Sequence, residues 1–398
     1  MEANFHENNR KRLVTICDGG IFVFTGYEAM QHSGDMQATF LQEGSFWWLS
    51  GIDEPGWKMI CEGSNGGKTT LFRPDTSETQ KIFDGTLDDE TALRQSGAQK
   101  ILPMTDFEHE LRHMRRTHPL VKTIKPIEQG NFVHNPALQD MHKLLDRIFE
   151  NVEDCAKKIY ELRAIKQPEE IERIKKAVQH TVRAFKLVRE SLVEYRTEYA
   201  VEAAFTNEFR RNNLHHAYQP IVASGKHACT LHYASNSAVF TKKQPILIDI
   251  GARYHGYSAD ITRTYCEAPS KRLREVHAAV EHAHHACIAL LGPNLLIADY
   301  ISSVDDIMKR ALMDIGLLKD KNDNDTYRKY FPHAISHGLG VDTHDPLGGP
   351  RYFQPGMVVT VEPGIYIPEE DIGVRIEDDI LITADGYENL SRALSTKL

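Results

Sequence analysis

Two apolar stretches of this chain carry acidic side chains where a buried strand would carry hydrophobic ones. In "LIDIGARYHGYSADITRTY" (247–265), Asp249 and Asp260 interrupt a run rich in isoleucine and leucine. They stand eleven positions apart, with the midpoint between Tyr254 and His255. In a symmetric hairpin, residues equidistant from the midpoint face each other and project on one side, with Cβ atoms about 5 Å apart. "GMVVTVEPGIYIPEEDIGVRIEDDILIT" (356–383) repeats the device with Glu362 and Glu377, fifteen apart about a polar turn at Glu369 and Glu370. Arg375 lies two residues before Glu377, shares its face and could orient a carboxylate. Of Asp378 and Asp379, one must point away, and both read as packing or polar-edge residues. Four converging carboxylates without positive charge would be severely destabilising. Four carboxylates and one imidazole are instead a ligand set for two divalent ions that share bridging oxygens. Oxygen-rich ligation without sulfur favours Mn²⁺ over structural zinc.

The imidazole comes from "HAISHGLGVDTHD" (333–345), which holds His333, His337 and His344. This is not the HExxH zinc motif, because Ala334 stands in place of its glutamate. His232, in "ASGKHACTLHYAS" (223–235), lies on a loop-like stretch before the first hairpin. His277, His282, His284 and His285 fall on a polar helix and read as surface residues. "GSNGGKTT" (63–70) looks like a phosphate loop, but that motif needs a glycine where Glu62 stands. A glycine-rich hairpin turn between two strands is the better reading.

The elements that must position these groups fall into two halves. Residues 1–160 read as an α/β domain with strand-like stretches "IFVFTG", "FWWLSGI", "WKMICEG", "TTLFRP", "AQKILPM" and "LVKTIKP". "LVTICDGGIFVFTG" reads as strand, turn and strand rather than a signal peptide. A helical pattern runs over 138–164, and a second helix starts at "KQPEEIERIKKAV", with Pro168 in its first turn and Glu169 and Glu170 at the positive end of its dipole. Residues 161–398 read as α+β: helices near 198–212, 270–291 and 301–316 packed on a largely antiparallel sheet.

Composition narrows the function classes. The chain has 398 residues, 26% charged and 41% hydrophobic, with a net charge of −9. No basic block is present, which speaks against nucleic acid as a partner. No run approaches the ~18 apolar residues of a membrane-spanning helix. Six scattered cysteines without a CxxC pair fit reduced thiols in a cytoplasmic protein better than a disulfide framework.

The ordered set "LIDIGARYHGYSADITRTY", "SHGLGVDTHD", "TVEPGIY" and "GVRIEDD" resembles the dinuclear metallopeptidases of the pita-bread fold, the family of aminopeptidase P, prolidase and methionine aminopeptidase. "FLQEGSFWWLSGIDEPG" (40–56) looks like the non-catalytic domain of the proline-specific branch. The resemblance implies a creatinase/prolidase-like α/β domain followed by an α+β pita-bread catalytic domain with a curved, mainly antiparallel sheet. It implies that Asp249 serves one metal ion, that Asp260 and Glu377 bridge both, and that His337 and Glu362 complete the other. His232 and His344 match histidines that bind substrate and the tetrahedral intermediate, with Glu362 as proton shuttle. His333 and Arg375 match groups beside the substrate cleft and behind the metal site. The implied activity is hydrolysis of the Xaa-Pro bond at a peptide N-terminus, through a water bridging two Mn²⁺ ions, with Co²⁺ or Zn²⁺ as alternatives. The implied partners are a proline-containing peptide and other copies of the chain, as a dimer or tetramer. An Xaa-Pro dipeptidase and a catalytically silent peptide-binding relative are the competing readings.

Overall fold

The computed structural model describes residues 1–63, 67–126 and 133–398. The chain divides into two units, Met1–Leu162 and Arg163–Leu398.

The first unit is built on a six-stranded mixed sheet. Its strand order is Lys100–Pro103, Lys68–Arg73, Lys58–Glu62, Ile21–Thr25, Leu120–Thr123, Asn151–Asp154. The "IFVFT" strand is buried along its whole length, as its unbroken apolar run requires. The strands flanking "GSNGG" pair antiparallel from Lys58 opposite Phe72 to Glu62 opposite Lys68, so the hairpin is present. Residues 64–66 of its turn lie outside the described residues.

Three expectations for this unit need correction. "LVTIC" belongs to the helix Ala3–Ile16, not a strand. Its buried residues Phe5, His6, Asn9, Arg10 and Leu13 recur at helical spacing, and Asn9 and Arg10 donate to the carbonyls of Trp48 and Leu49. "FWWLS" is likewise helical, within Gly44–Ser50. The Glu43 side chain caps it through the Phe46 N–H, and Gly51 ends it at φ 73°. A short helix buried on every side has the composition of a buried strand, which is why periodicity misreads it. The pattern over 138–164 is interrupted. Helix Ala137–Ile148 gives way to the edge strand Asn151–Asp154, then to helix Ala156–Ala164. Parallel pairing with Leu120–Thr123 overrides local propensity there.

In the second unit, helix Pro168–Ser191 starts at the expected proline, with a capping box between Gln167 and Glu170. Helices Glu198–Arg211, Lys271–Ala289 and Ile297–Asp314 follow close to their expected places, together with the short helix Asn324–Tyr330. Among the described residues, every strand pair of this unit is antiparallel. Val276, Val280, Val304 and Met308 on two of the helices pack against Val359, Val361, Val374 and Ile380 on the strands. His282 and His285 are exposed as expected, but His277 and His284 are buried. They are seven residues apart, two turns of helix, and fall on the same core-facing stripe as Val276, Val280 and Cys287.

Candidate metal centre

Both acidic stretches form hairpins, and they meet. In the second, Val361 stands opposite Asp378 and Gly364 opposite Arg375. That register puts Glu362 directly across from Glu377, as the midpoint at Glu369–Glu370 predicts. In the first, Asp249 stands opposite Thr262, and Tyr254 opposite Tyr257. The turn is therefore His255–Gly256, with φ 46° and 89°. The register is two residues away from the symmetric one, so Asp260 falls opposite Gly251 and diagonal to Asp249. The shift is even, so both aspartates still share one face.

On that face the carboxylates converge. Asp249, Asp260 and Glu377 each offer an oxygen within 4.8 Å of the others. His337, Glu362 and Glu377 form a second such group, and Asp260, His337 and His344 a third. Glu377 and Asp260 thus each enter two groups, whereas Asp249 and Glu362 enter one. His337 Nε2 lies 3.5 Å from Asp260 Oδ2 and 3.6 Å from Glu362 Oε1. Its Nδ1 lies 3.0 Å from the Gly338 carbonyl, which can only accept, so Nδ1 carries the hydrogen and Nε2 a free lone pair. Arg375 Nη2 donates to Asp249 Oδ2 at 2.5 Å, on the face expected for it.

His333 Nε2 accepts from the Tyr366 hydroxyl at 2.8 Å, and that hydroxyl accepts from Arg375 Nη1 at 2.9 Å. His333 Nδ1 sits 3.6 Å from Glu362 Oε2. The His344 ring centroid is 4.3 Å from that of His337. His232 and His344 are exposed and line, with His333 and His337, the cavity of about 800 Å³ whose floor is the carboxylate cluster.

Asp378 points to the opposite face, where Arg263 Nη2 donates to it at 2.6 Å. Asp379 stays on the carboxylate face and accepts the Asp260 backbone N–H at 3.1 Å. Both are buried, so neither is a polar-edge residue.

Two groups escaped the sequence reading. The hydroxyl of the half-buried Tyr218 lies 2.5 Å from Asp249 Oδ1 and 2.6 Å from Asp260 Oδ1, tying the two aspartates together. Thr262 Oγ1 donates to Glu377 Oε2 at 2.6 Å and accepts from Arg375 Nε at 3.2 Å. Thr262 was legible in principle, since it sits two residues from Asp260 on the same face. Tyr218 carries no local signal.

The electrostatics favour a cation. Burial, then the neighbouring carboxylates, raise Asp260 and Glu377 well above the ordinary carboxylate range. Burial pushes Glu362 up to about 8, with Asp249 adding to the rise and Arg375 opposing it. Burial lowers His337 to about 4, with His344 adding to the effect, so its ring is neutral and free to ligate. One guanidinium faces four carboxylates, and divalent ions would supply the missing positive charge. The donor set therefore fits two such ions: oxygen-rich, with one neutral imidazole.

A model of metallopeptidase family M24 matches residues 172–384, and a model of the aminopeptidase P N-terminal domain matches residues 6–121. Xaa-Pro aminopeptidase 3 of Mus musculus is 32% identical over 380 residues, covering 89% of this chain and 74% of that protein. Xaa-Pro aminopeptidase of Escherichia coli K12 is 30% identical over 395 residues, covering 92% and 89%. Aminopeptidase P from E. coli, solved with the inhibitor Pro-Leu, superposes with a TM-score of 0.89 at 28% identity, over 100% of this chain and 96% of that one. Proline aminopeptidase P II from Yersinia pestis gives 0.87 at 27% identity, over 100% and 98%. With the family match spanning the whole carboxylate and histidine constellation, the chain belongs to metallopeptidase family M24 and carries an aminopeptidase P N-terminal domain ahead of its metallopeptidase domain.

Proposed function

We propose that this protein is a metal-dependent Xaa-Pro aminopeptidase, removing the residue that precedes proline at a peptide N-terminus. The single observation that carries the reading is the set of three overlapping ligand groups on the floor of a histidine-ringed cavity. Residues 161–398 are then the catalytic domain, and residues 1–160 a non-catalytic one. Asp249, Asp260 and Glu377 would hold one divalent ion; His337, Glu362, Asp260 and Glu377 would hold the other. Bound there, divalent ions lower the pKa of water and polarise a carbonyl. The ratio of four carboxylates to one imidazole points to Mn²⁺, with Co²⁺ and Zn²⁺ as alternatives.

The chain's own groups do the rest. Glu362 faces the cavity and passes a proton from the attacking water to the leaving proline nitrogen. His344 and His232, on loops at the cavity wall, donate to the developing oxyanion and to the substrate carbonyl. Asp249, held by Arg375 and Tyr218, receives the free amine of the substrate. The cleft near His232 holds the proline ring, and His333, fixed through Tyr366 and Arg375, stands beside that cleft. The six cysteines are free thiols, in keeping with a cytoplasmic location, and a dimer or tetramer belongs to the same reading.

One panel tests it: an Xaa-Pro dipeptide, an Xaa-Pro-Xaa tripeptide and a longer Xaa-Pro peptide, each with Mn²⁺, Co²⁺ and Zn²⁺. Cleavage of the tripeptide and the longer peptide, strongest with Mn²⁺, is expected. Cleavage of the dipeptide alone would make the protein a prolidase, and no cleavage with any metal would leave a silent relative.

A further inference from the structure

Two buried cations lie behind the histidine loop 333–345, outside the site described above. Arg163 and Lys166 stand where helix Ala156–Ala164 ends, and Asp345 sits between them; all three are buried. Lys166 Nζ donates to Asp345 Oδ2 at 2.8 Å. Arg163 Nη2 donates to Asp345 Oδ1 and, at 2.6 Å, to Asp342 Oδ2. Burial raises the Asp345 carboxyl, but Arg163 and Lys166 more than offset this and hold it below its ordinary value. It is therefore an anion enclosed by its own loop.

The loop closes tightly around that anion. A Cβ at Gly340 would lie 2.5 Å from Asp345 Oδ2, and one at Gly338 would lie 2.3 Å from the Asp345 carbonyl oxygen. The Asp345 N–H donates to the Gly338 carbonyl at 2.8 Å. The same carbonyl accepts His337 Nδ1. His344 precedes Asp345 in the chain, with its ring against His337. A chain of contacts thus runs from the two cations through Asp345 and the Gly338 carbonyl to the ring whose Nε2 faces Glu362 and Asp260.

A buried ion pair is a poor route to stability, since desolvation consumes most of its Coulombic gain. Its better-attested use is to specify one geometry. We infer that Asp345, clamped by Arg163 and Lys166, is a positioning residue: it fixes the Gly338 carbonyl that sets the tautomer and aim of His337, and it holds His344 beside that ring. The inference rests on the aminopeptidase reading above, in which His337 is a ligand and His344 touches the intermediate.

The test uses the full chain, stripped of metal and titrated calorimetrically with Mn²⁺, then assayed on an Xaa-Pro-Xaa peptide. Asp345→Asn keeps the shape and removes the charge. The expected result is Mn²⁺ affinity reduced about 10–100-fold, the range for groups that orient a ligand. A kcat reduced similarly, with KM nearly unchanged, is expected beside it. Adding Asp345→Asn to His344→Ala should cost less than the two single losses multiplied. Arg163→Met should reproduce the loss and Arg163→Lys recover most of it, and this pair decides the matter if Asp345→Asn does not fold. Wild-type affinity and kcat in folded Asp345→Asn, or equal behaviour of the two Arg163 variants, would overturn the inference. Failure of the functional reading would show separately, as wild-type protein that binds Mn²⁺ without cleaving any Xaa-Pro peptide.

Discussion

The two acidic hairpins solve one problem by different geometries. Each contributes one carboxylate that enters two ligand groups, Asp260 or Glu377, and one that enters a single group, Asp249 or Glu362. Each places a glycine two residues after its first carboxylate, Gly251 and Gly364. They differ in the turn. A two-residue turn at His255–Gly256 leaves the aspartates diagonal, with Thr262 and Gly251 directly opposite them. A four-residue turn over 368–371 puts Glu362 face to face with Glu377. Diagonal neighbours lie farther apart than direct ones. The aspartates are accordingly drawn together by the Tyr218 hydroxyl, while Thr262 Oγ1 bonds one member of the glutamate pair. Parity decides which face a side chain occupies; the turn decides which residue it meets.

Removing the carboxylates one at a time is the hardest strain on this comparison. Asp260→Ala and Glu377→Ala should abolish binding of both ions and lower kcat/KM by more than about a thousandfold. Asp249→Ala and Glu362→Ala should each leave about one ion per chain when metal is counted in dialysed protein. If Asp249→Ala lost both ions while Asp260→Ala lost one, the shared and private roles in the first hairpin would be exchanged.

The two glycines separate fold from chemistry. An added Cβ at Gly251 would lie 1.7 Å from the Ala259 carbonyl oxygen, which is backbone and cannot step aside. Gly251→Ala should therefore cost about 3 kcal/mol or more, read from the midpoint of urea unfolding. At Gly364 the nearest atom is the Tyr366 hydroxyl, at 2.5 Å, the end of a side chain. Gly364→Ala should cost about 1–2 kcal/mol, less than Gly251→Ala, and slow catalysis, because the displaced hydroxyl leaves Arg375 and His333. Equal destabilisation by both changes would show that the hairpins are equally tight.

The face shared by the carboxylates was legible because a period of two is local: it survives even a two-residue error in register. The pairing in the second hairpin was legible because its polar turn marks the midpoint. The midpoint of the two aspartates misplaces the centre of the first hairpin, because the positive-φ pair His255–Gly256 sets it. His277 and His284 could have been placed inside by their seven-residue spacing along the Leu273–Cys287 stripe. Tyr218 could not, since it reaches partners 31 and 42 positions away. Nor could the bonding of Arg163 to Asp345 across 182 positions. Such contacts exist only once the sheet is assembled.

The smallest effect concerns the far faces of the hairpins, where they meet without metal. Arg263 stands opposite Ile248 in the first hairpin, and Asp378 opposite Val361 in the second. Arg263 Nη2 and Asn389 Nδ2 each donate to the Asp378 carboxylate at 2.6 Å, and His284 Nε2 lies 3.5 Å from it. Burial lowers His284 to about 4; Arg263 and His285 add to this, while Asp378 and Glu281 oppose it. The ring is thus neutral in the folded protein, whereas in the unfolded chain it titrates near 6.5. Between about pH 4 and 6.5 the unfolded chain binds more protons at this position, so stability rises with pH across that window and falls on acidification. From pH 7 to pH 5 this one group should withdraw about 2 kcal/mol. In metal-stripped His284→Gln, urea midpoints at the two pH values should lie closer together than in the wild type by that amount. Parallel shifts in the two proteins would mean that His284 is protonated inside the fold, as a third member of the Arg263–Asp378 ion pair. The far faces would then resemble the near ones, held by charge rather than by a neutral ring.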